Sequence, residues 1–474
     1  MTPSTFAKPQ ANLDARHAWF SSLVLGYLVF LTLIGQLLSI KPQPFTGEGN
    51  PMRQLFYILA LGLAIWAARG LAQPRRLLVL PVSMTIALLW CLLSVSWALA
   101  PSISIRRLIL TISALWSVFI VVRNAGFERS VRAIQIMLVV GLVLNYAAIV
   151  ISPGTAIHQP GQAGGPELIG NWRGVLPHKN FAGAICAMTI IYFGLAGQRL
   201  KIVYKLAIML AAAFFLYKTA SKTSMGFTAA AMVAGWMANR YNPRYRSIIL
   251  PLALVVIACA VMFGQEQLAA LLSPFSRQDA LTGRVQIWPI LVNYARDHWL
   301  LGSGYGSFWN IGGDSPVFHY ARSWVKELGN GHNGYLDLLV QIGVPGLLLT
   351  VFATMFLPLG KLFASQGMVP QRRGFLIAVI LFCMGHNLTE SSLMDRDAIV
   401  QMFLMMAVAL TQVATRDEVR FSPAGRPATQ VRRQAASAAT DDVDVANDAT
   451  DQPPAAAHGA MHNRALDSGR PAAD

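Results

Sequence analysis

Residues 131–151 read VRAIQIMLVVGLVLNYAAIVI, twenty-one positions with one charge, Arg132, near the start. A helix that crosses the hydrocarbon of a bilayer needs about 20 predominantly apolar residues, and this stretch supplies them. Arg123, Arg129 and Arg132 gather at its beginning, the bias of a cytoplasmic loop. Working outward, the pattern recurs. Four runs precede it, Trp19–Leu38, Leu55–Leu71, Leu77–Trp97 and Leu108–Val122. Seven follow: Phe181–Gly197, Ile202–Tyr217, Met225–Ala238, Ile248–Phe263, Tyr335–Leu357, Phe375–Leu388 and Ala398–Val413. The fold class is all-α, a polytopic membrane protein of about twelve transmembrane helices.

Composition agrees. Of 474 residues, 54% are hydrophobic and 13% charged, whereas a soluble globular chain carries about 25% charged residues. The formal net charge of +16 is spread through short loops, which makes it a topology signal and not a nucleic-acid patch. With the N-terminus (residues 1–18) in the cytoplasm, the inner loops hold fifteen Lys and Arg and the short outer loops seven. Both ends are then inside. Cys91, Cys186, Cys259 and Cys383 all fall in apolar runs and form no CxxC, so neither a disulfide framework nor a zinc site is expected. No cleavable signal peptide is evident, because the first apolar run is too long and others follow closely.

Two outer loops exceed what connection requires: residues 152–180, rich in Gly and Pro, and residues 264–334, rich in Trp, Tyr, Gly, Arg and His. The second has room for a surface helix near Ala280–Tyr294. The transmembrane domain ends near residue 415, and residues 416–474 have the composition of a disordered cytoplasmic tail.

Four clusters could carry chemistry: Trp172-Arg173 through Pro177-His178-Lys179-Asn180, Lys218 through Ser221-Lys222-Thr223-Ser224, Thr282-Gly283-Arg284 through Trp288, and Gly331-His332-Asn333-Gly334. Spans six, eight and ten run from outside to inside, so three of these clusters lie at helix N-termini on one face. Such ends offer unpaired N–H groups and partial positive charge to an anion, and the basic side chains suit a pyrophosphate. Asn180 and Asn333 have the chemistry of helix caps. Blander readings stand beside these. Lys179 and Lys222 could snorkel, Arg284 could be a surface ion pair, and His332-Asn333 could be only a cap and turn. His386, Asn387 and Glu390 could be polar packing between helices. Asp337, one turn below His332, is a carboxylate that needs a partner or a task.

The last cluster continues His332-Asn333, nine residues, Gly343, two residues, Gly346. In this it resembles the O-antigen ligase and Wzy-type polymerase family. The twelve-span plan and the long loop ending at the motif are also similar, up to about residue 415. Pro177-His178-Lys179-Asn180 and Ser221-Lys222-Thr223-Ser224 look most like the exopolysaccharide-polymerase branch. The resemblance implies a GT-C-like enzyme in a bacterial inner membrane, working at the periplasmic face without metal or other cofactor. Its donor would be an undecaprenyl pyrophosphate-linked glycan and its other partners a glycan acceptor, membrane lipids, a chain-length regulator and further polysaccharide assembly proteins. It makes His332 the catalytic histidine and matches Arg284 to a loop arginine that engages pyrophosphate. Lys222 stands where many members have arginine; it keeps the charge but loses the bidentate fork. Arg173, His178, Lys179, Asn180, Ser221, Thr223, Ser224, Trp288, Asn333 and Asp337 are expected to bind substrate. Trp299, Tyr305, Trp309, Tyr320 and Trp324 are offered for stacking on sugars. A ligase acting on lipid A-core, a flippase and a noncatalytic scaffold are the competing functions.

Overall fold

The computed structural model describes residues 7–34, 50–161, 166–197, 200–245, 284–321, 324–396 and 398–421. The chain divides into residues 1–418 and 419–474; the described part of the second unit is the end of the last helix. Among the described residues there is no strand, only isolated bridges at Ile157–Trp172 and Ile311–Gly313.

The first eight expected spans are helices: α1 (Ala7–Ile34), α2 (Pro51–Ala67), α3 (Val82–Leu93), α4 (Pro101–Ala125), α5 (Phe127–Ile151), α6 (Lys179–Leu195), α7 (Ile202–Thr219) and α8 (Lys222–Arg240). The ninth, 248–263, lies outside the described residues, as do Cys259, the front of the long loop and residues 422–474. That loop contains α9 (Arg284–Asp297), where a surface helix was expected. Span ten is α10 (Gly334–Val351), a π turn (Phe352–Phe356) and α11 (Leu357–Ala364); spans eleven and twelve are α12 (Pro370–His386) and α13 (Ile399–Phe421). Among the described residues six helices are long and apolar enough to cross a bilayer: Asp14–Leu33, Pro101–Ala125, Phe127–Ile151, Ile202–Thr219, Gly334–Ala364 and Ile399–Asp417. Pro51–Ala67, Val82–Trp97 and Lys179–Leu195 are shorter apolar helices. The architecture is that of an all-α polytopic membrane protein.

Local chemistry sets the ends. Asn50 caps α2, its side chain accepting from the Met52 and Arg53 N–H groups at 3.0 and 3.3 Å, with Pro51 at the first helical position, where its missing donor costs nothing. Inside the bundle α13 is buried on every side from Ile399 to Thr411, as an all-round apolar helix requires. α12 packs on α8 and α6. A Cβ on Gly374 would lie 2.4 Å from the Gly235 carbonyl oxygen, and one on Gly235 would lie 2.8 Å from that of Gly374. Small residues let these two backbones meet, the usual device between membrane helices.

α10 is broken one-third of the way along its 31-residue span. Gly343 has φ 66° and ψ −177°, a conformation open to glycine, and Pro345 lacks an N–H. The freed backbone groups are met from outside the helix. Ser303 N–H donates to Val340 O (2.9 Å), the Trp90 indole to Ile342 O (3.0 Å) and Val344 N–H to Trp299 O (2.8 Å). Backbone without helical partners survives at membrane depth only when buried protein satisfies it. Here residues 299–306, part of the long loop, supply two of these partners and α3 the third; the Trp97 indole adds a bond to Leu301 O (3.1 Å).

Candidate functional site

The chain enters α10 through a turn fixed from every direction. His332 has φ 49°, a left-handed conformation that a non-glycine residue holds only when its surroundings over-determine it. Its N–H donates to Asn330 Oδ1 (3.1 Å). One residue earlier, Gly331 N–H is shared between both Asp337 carboxylate oxygens (3.0 Å each), and Gly331 O accepts from the Trp288 indole (3.1 Å). One residue later, Asn333 Oδ1 accepts from Tyr335 and Leu336 N–H (3.1 Å each), its Nδ2 donates to Leu388 O (3.1 Å), and its N–H donates to Ser391 Oγ (3.0 Å). Gly334 N–H donates to Asn387 O (2.9 Å) and Glu390 O (3.1 Å). The imidazole of His332 is thereby aimed by backbone on both sides.

It is aimed at Glu390. Glu390 Oε2 lies 3.3 Å from His332 Nδ1, while Oε1 accepts from Asn180 Nδ2 at 2.5 Å and from the Arg284 guanidinium. Glu390 and Arg284 side chains are each 9% exposed, that of His332 30%. Burial raises the Glu390 pKa, but the hydrogen bond from His332 and the Arg284 charge outweigh it and hold the carboxyl below the usual carboxylate range. A carboxylate on Nδ1 fixes the neutral tautomer that leaves Nε2 as a base. His386 is fully buried within electrostatic reach of Glu390 and Arg284, and its ring makes no hydrogen bond among the described residues.

The α6 end joins the same cluster. His178 is its N-cap, Nδ1 accepting from Asn180 N–H (3.3 Å), and His158 Nε2 accepts from Lys179 N–H (3.3 Å); the two rings meet at 5.5 Å. Burial drives the His178 pKa down to about 4 against the opposing pull of Glu390, and burial with Arg173 and Lys179 nearby lowers that of His158. Both rings can accept only while neutral. The expectation of three open helix ends is therefore corrected: α6 and α10 have first-turn donors taken by protein side chains, and α8 alone of the three has no side-chain cap. At α8, Ser221 Oγ bonds Ser224 Oγ (3.1 Å), Thr223 reaches Thr389 (2.9 Å), and Lys222 is exposed, its charge felt at Lys179.

The structure thus brings together His332, Arg284, Asn180, His178, Lys179 and Lys222, with Asn333 supporting them. Arg173 stands one step away, held by Thr155 O (2.8 Å) and Pro177 O (3.3 Å). Trp288 and Asp337 work on the His332 turn itself, Asp337 also accepting from the Trp309 indole at 2.8 Å. Tyr305 and Trp309 are buried; Trp299 is exposed, Tyr320 half-buried, and the side chain of Trp324 lies outside the described residues. Glu390, read as polar packing, is the hub. Its signal was an acid at the end of an apolar span, in Asn387-Leu388-Thr389-Glu390.

The O-antigen ligase family model matches residues 181–351, from the start of α6 to the end of α10, which takes in Lys222, Arg284, His332 and Asp337. The exopolysaccharide production protein ExoQ of Rhizobium meliloti (strain 1021) is 24% identical over 322 residues, 64% of this chain and 70% of that protein. The chain is thus similar to O-antigen ligases over residues 181–351 and to an exopolysaccharide production protein over a longer stretch. Both likenesses are to proteins named for the making of surface polysaccharide.

Proposed function

We propose that the protein is a glycosyltransferase that polymerises oligosaccharide repeats from undecaprenyl pyrophosphate carriers at the periplasmic face of a bacterial inner membrane. The observation that carries this reading is the partly buried His332 held on buried Glu390 beside Arg284, Lys179 and Lys222. The acceptor sugar's hydroxyl gives its proton to His332 Nε2 as its oxygen bonds to the donor's anomeric carbon. The bond from that carbon to the pyrophosphate breaks with inversion, and the electron pair leaves on the lipid pyrophosphate. Lys222, Lys179 and Arg284 oppose the charge that develops there. Glu390 stabilises the imidazolium formed.

The second reading, transfer to lipid A-core, differs only in the acceptor. The likeness to O-antigen ligases favours it, and the likeness to ExoQ favours exopolysaccharide. Detergent-purified protein given a diphosphate-linked repeat is expected to lengthen glycans without a sealed compartment. Transfer to lipid A-core and not to another repeat would support the ligase; neither product would support a flippase or scaffold.

A further inference from the structure

Against the backbone of the His332 turn lies a polar cavity of about 190 Å³. Arg107, Trp309, Asn310, Asn330, Ser391 and Arg396 line it, whereas Glu390, Arg284, Lys179 and Lys222 do not. Sites that bury a whole drug-sized ligand run to about 300–1,000 Å³, so this one takes a single ring of a larger molecule. One wall is the part of α10 just before its break. There Gln341 accepts from Gly306 N–H (2.7 Å) and donates to Asp337 O (2.8 Å). The loop segment that satisfies the break thus also shapes the cavity.

Some lining groups hold the walls and others are left for a ligand. Arg107 donates to the carbonyls of Gly306, Trp309 and Asn310, the last two at 2.9 and 3.0 Å. The Trp309 indole and the Ser391 hydroxyl go to Asp337. By contrast, the Asn310 side-chain amide makes no hydrogen bond among the described residues, and the Asn330 amide uses only Oδ1, on His332 N–H. Arg396 adds a guanidinium 3.8 Å from the Asp395 carboxylate. Backbone strain marks the same place. Of five left-handed non-glycine residues among those described, three lie in or beside this cavity: Asn310 (φ 54°), His332 (φ 49°) and Met394 (φ 56°). Strain of this kind persists only where the surroundings over-determine it, and it collects at ligand clamps.

We infer that this cavity seats one sugar ring of the acceptor glycan. The inference rests on the transfer reading above and adds where the attacking chain is held. Inversion needs the acceptor hydroxyl and the leaving pyrophosphate on opposite faces of the anomeric carbon, so the two substrates need separate places. The cations gather around the His332 imidazole and Glu390, while the cavity lies on the turn's backbone, at Gly329, Asn330 and Gly334. Amide and guanidinium groups suit the hydroxyls of a pyranose, and the Trp309 ring in the wall suits its C–H face. A second diphosphate is a poor match, because the Asp337 and Asp395 carboxylates stand among the lining groups.

The test uses the full-length protein in nanodiscs, an undecaprenyl diphosphate-linked repeat as donor, and a fluorescently labelled single repeat without lipid or diphosphate, which can only accept. Asn310→Gly removes the amide at a position whose backbone glycine adopts freely, and Arg396→Gln removes the charge at a second wall. Each is expected to raise the acceptor KM by about five-fold while the donor KM stays within about two-fold of wild type, which also shows that the variant folded. An unchanged acceptor KM in either variant, or equal rises for donor and acceptor, overturns the cavity's role while the transfer reading stands. So does a wild-type protein that polymerises the donor and leaves the labelled repeat untouched. A wild-type protein that does neither overturns the transfer reading, and this inference with it.

Discussion

Two carboxylates lie buried at the same end of the bundle, and their surroundings differ. Asp337 accepts from neutral donors: the Gly331 backbone, the Trp309 indole and the Ser391 hydroxyl. Glu390 accepts from the Arg284 guanidinium, the Asn180 amide and the His332 imidazole. A carboxylate answered by neutral groups holds a shape. One shared between a fixed cation and an accessible imidazole can compensate a charge that appears and disappears. Only 58 residues separate Glu390 from His332 and 106 from Arg284, yet the pairing depends wholly on how the helices pack.

Glu390→Ala is the harshest way to break this comparison. It leaves the Arg284 charge buried without its carboxylate, a loss that costs about 3–5 kcal/mol. A clear drop in thermal unfolding temperature in detergent, together with loss of polymer, is expected. Glu390→Gln keeps the volume and should fold better while still losing transfer. Wild-type activity in Glu390→Gln would show that Glu390 is packing, as Asp337 is.

Asp337→Asn sharpens the other side. One amide oxygen remains for the Gly331 and Trp309 donors, so the expected cost is about 1–3 kcal/mol, read as a fall in unfolding temperature, with partial activity. A complete loss of transfer without loss of stability would move Asp337 into the chemistry.

How much of this was legible? Length and apolarity made α1 to α8 readable, because a bilayer-crossing helix repeats one simple demand. His332 and Arg284 were readable as a motif and a loop cation. The break at Gly343 was not, because its cause is the backbone of residues 299–306 arriving from a distant loop. At α6 the cap was expected at Asn180, whereas His178 caps the helix and the Asn180 side chain donates to Glu390. His178 is local to its helix, but His158 is 21 residues away from the N–H it accepts. Glu390 had the right type and place, and nothing in the chain marked it as the partner of three separate segments.

Smaller effects follow from the α6 caps. The His178 pKa is held down at about 4, so its cap stabilises the fold above the ordinary histidine pKa and is lost as pH falls through about 4. His178→Ala should cost about 1 kcal/mol at neutral pH, and the gap between it and wild type should close below pH 4. An undiminished gap in a pH series of unfolding temperatures would contradict the neutral cap.

The smallest change expected is at α8, where Lys222 is exposed. Lys222→Arg keeps the charge, and donor KM should stay within about two-fold, whereas Lys222→Ala should raise it several-fold. Equal KM in all three proteins would remove Lys222 from the donor site.

The most direct measurement is polymer formation in a strain lacking this protein, complemented by wild type or His332→Ala at matched membrane levels. The account predicts that His332→Ala abolishes high-molecular-weight polysaccharide and that single lipid-linked repeats accumulate. Normal polymer from the His332→Ala strain would contradict it.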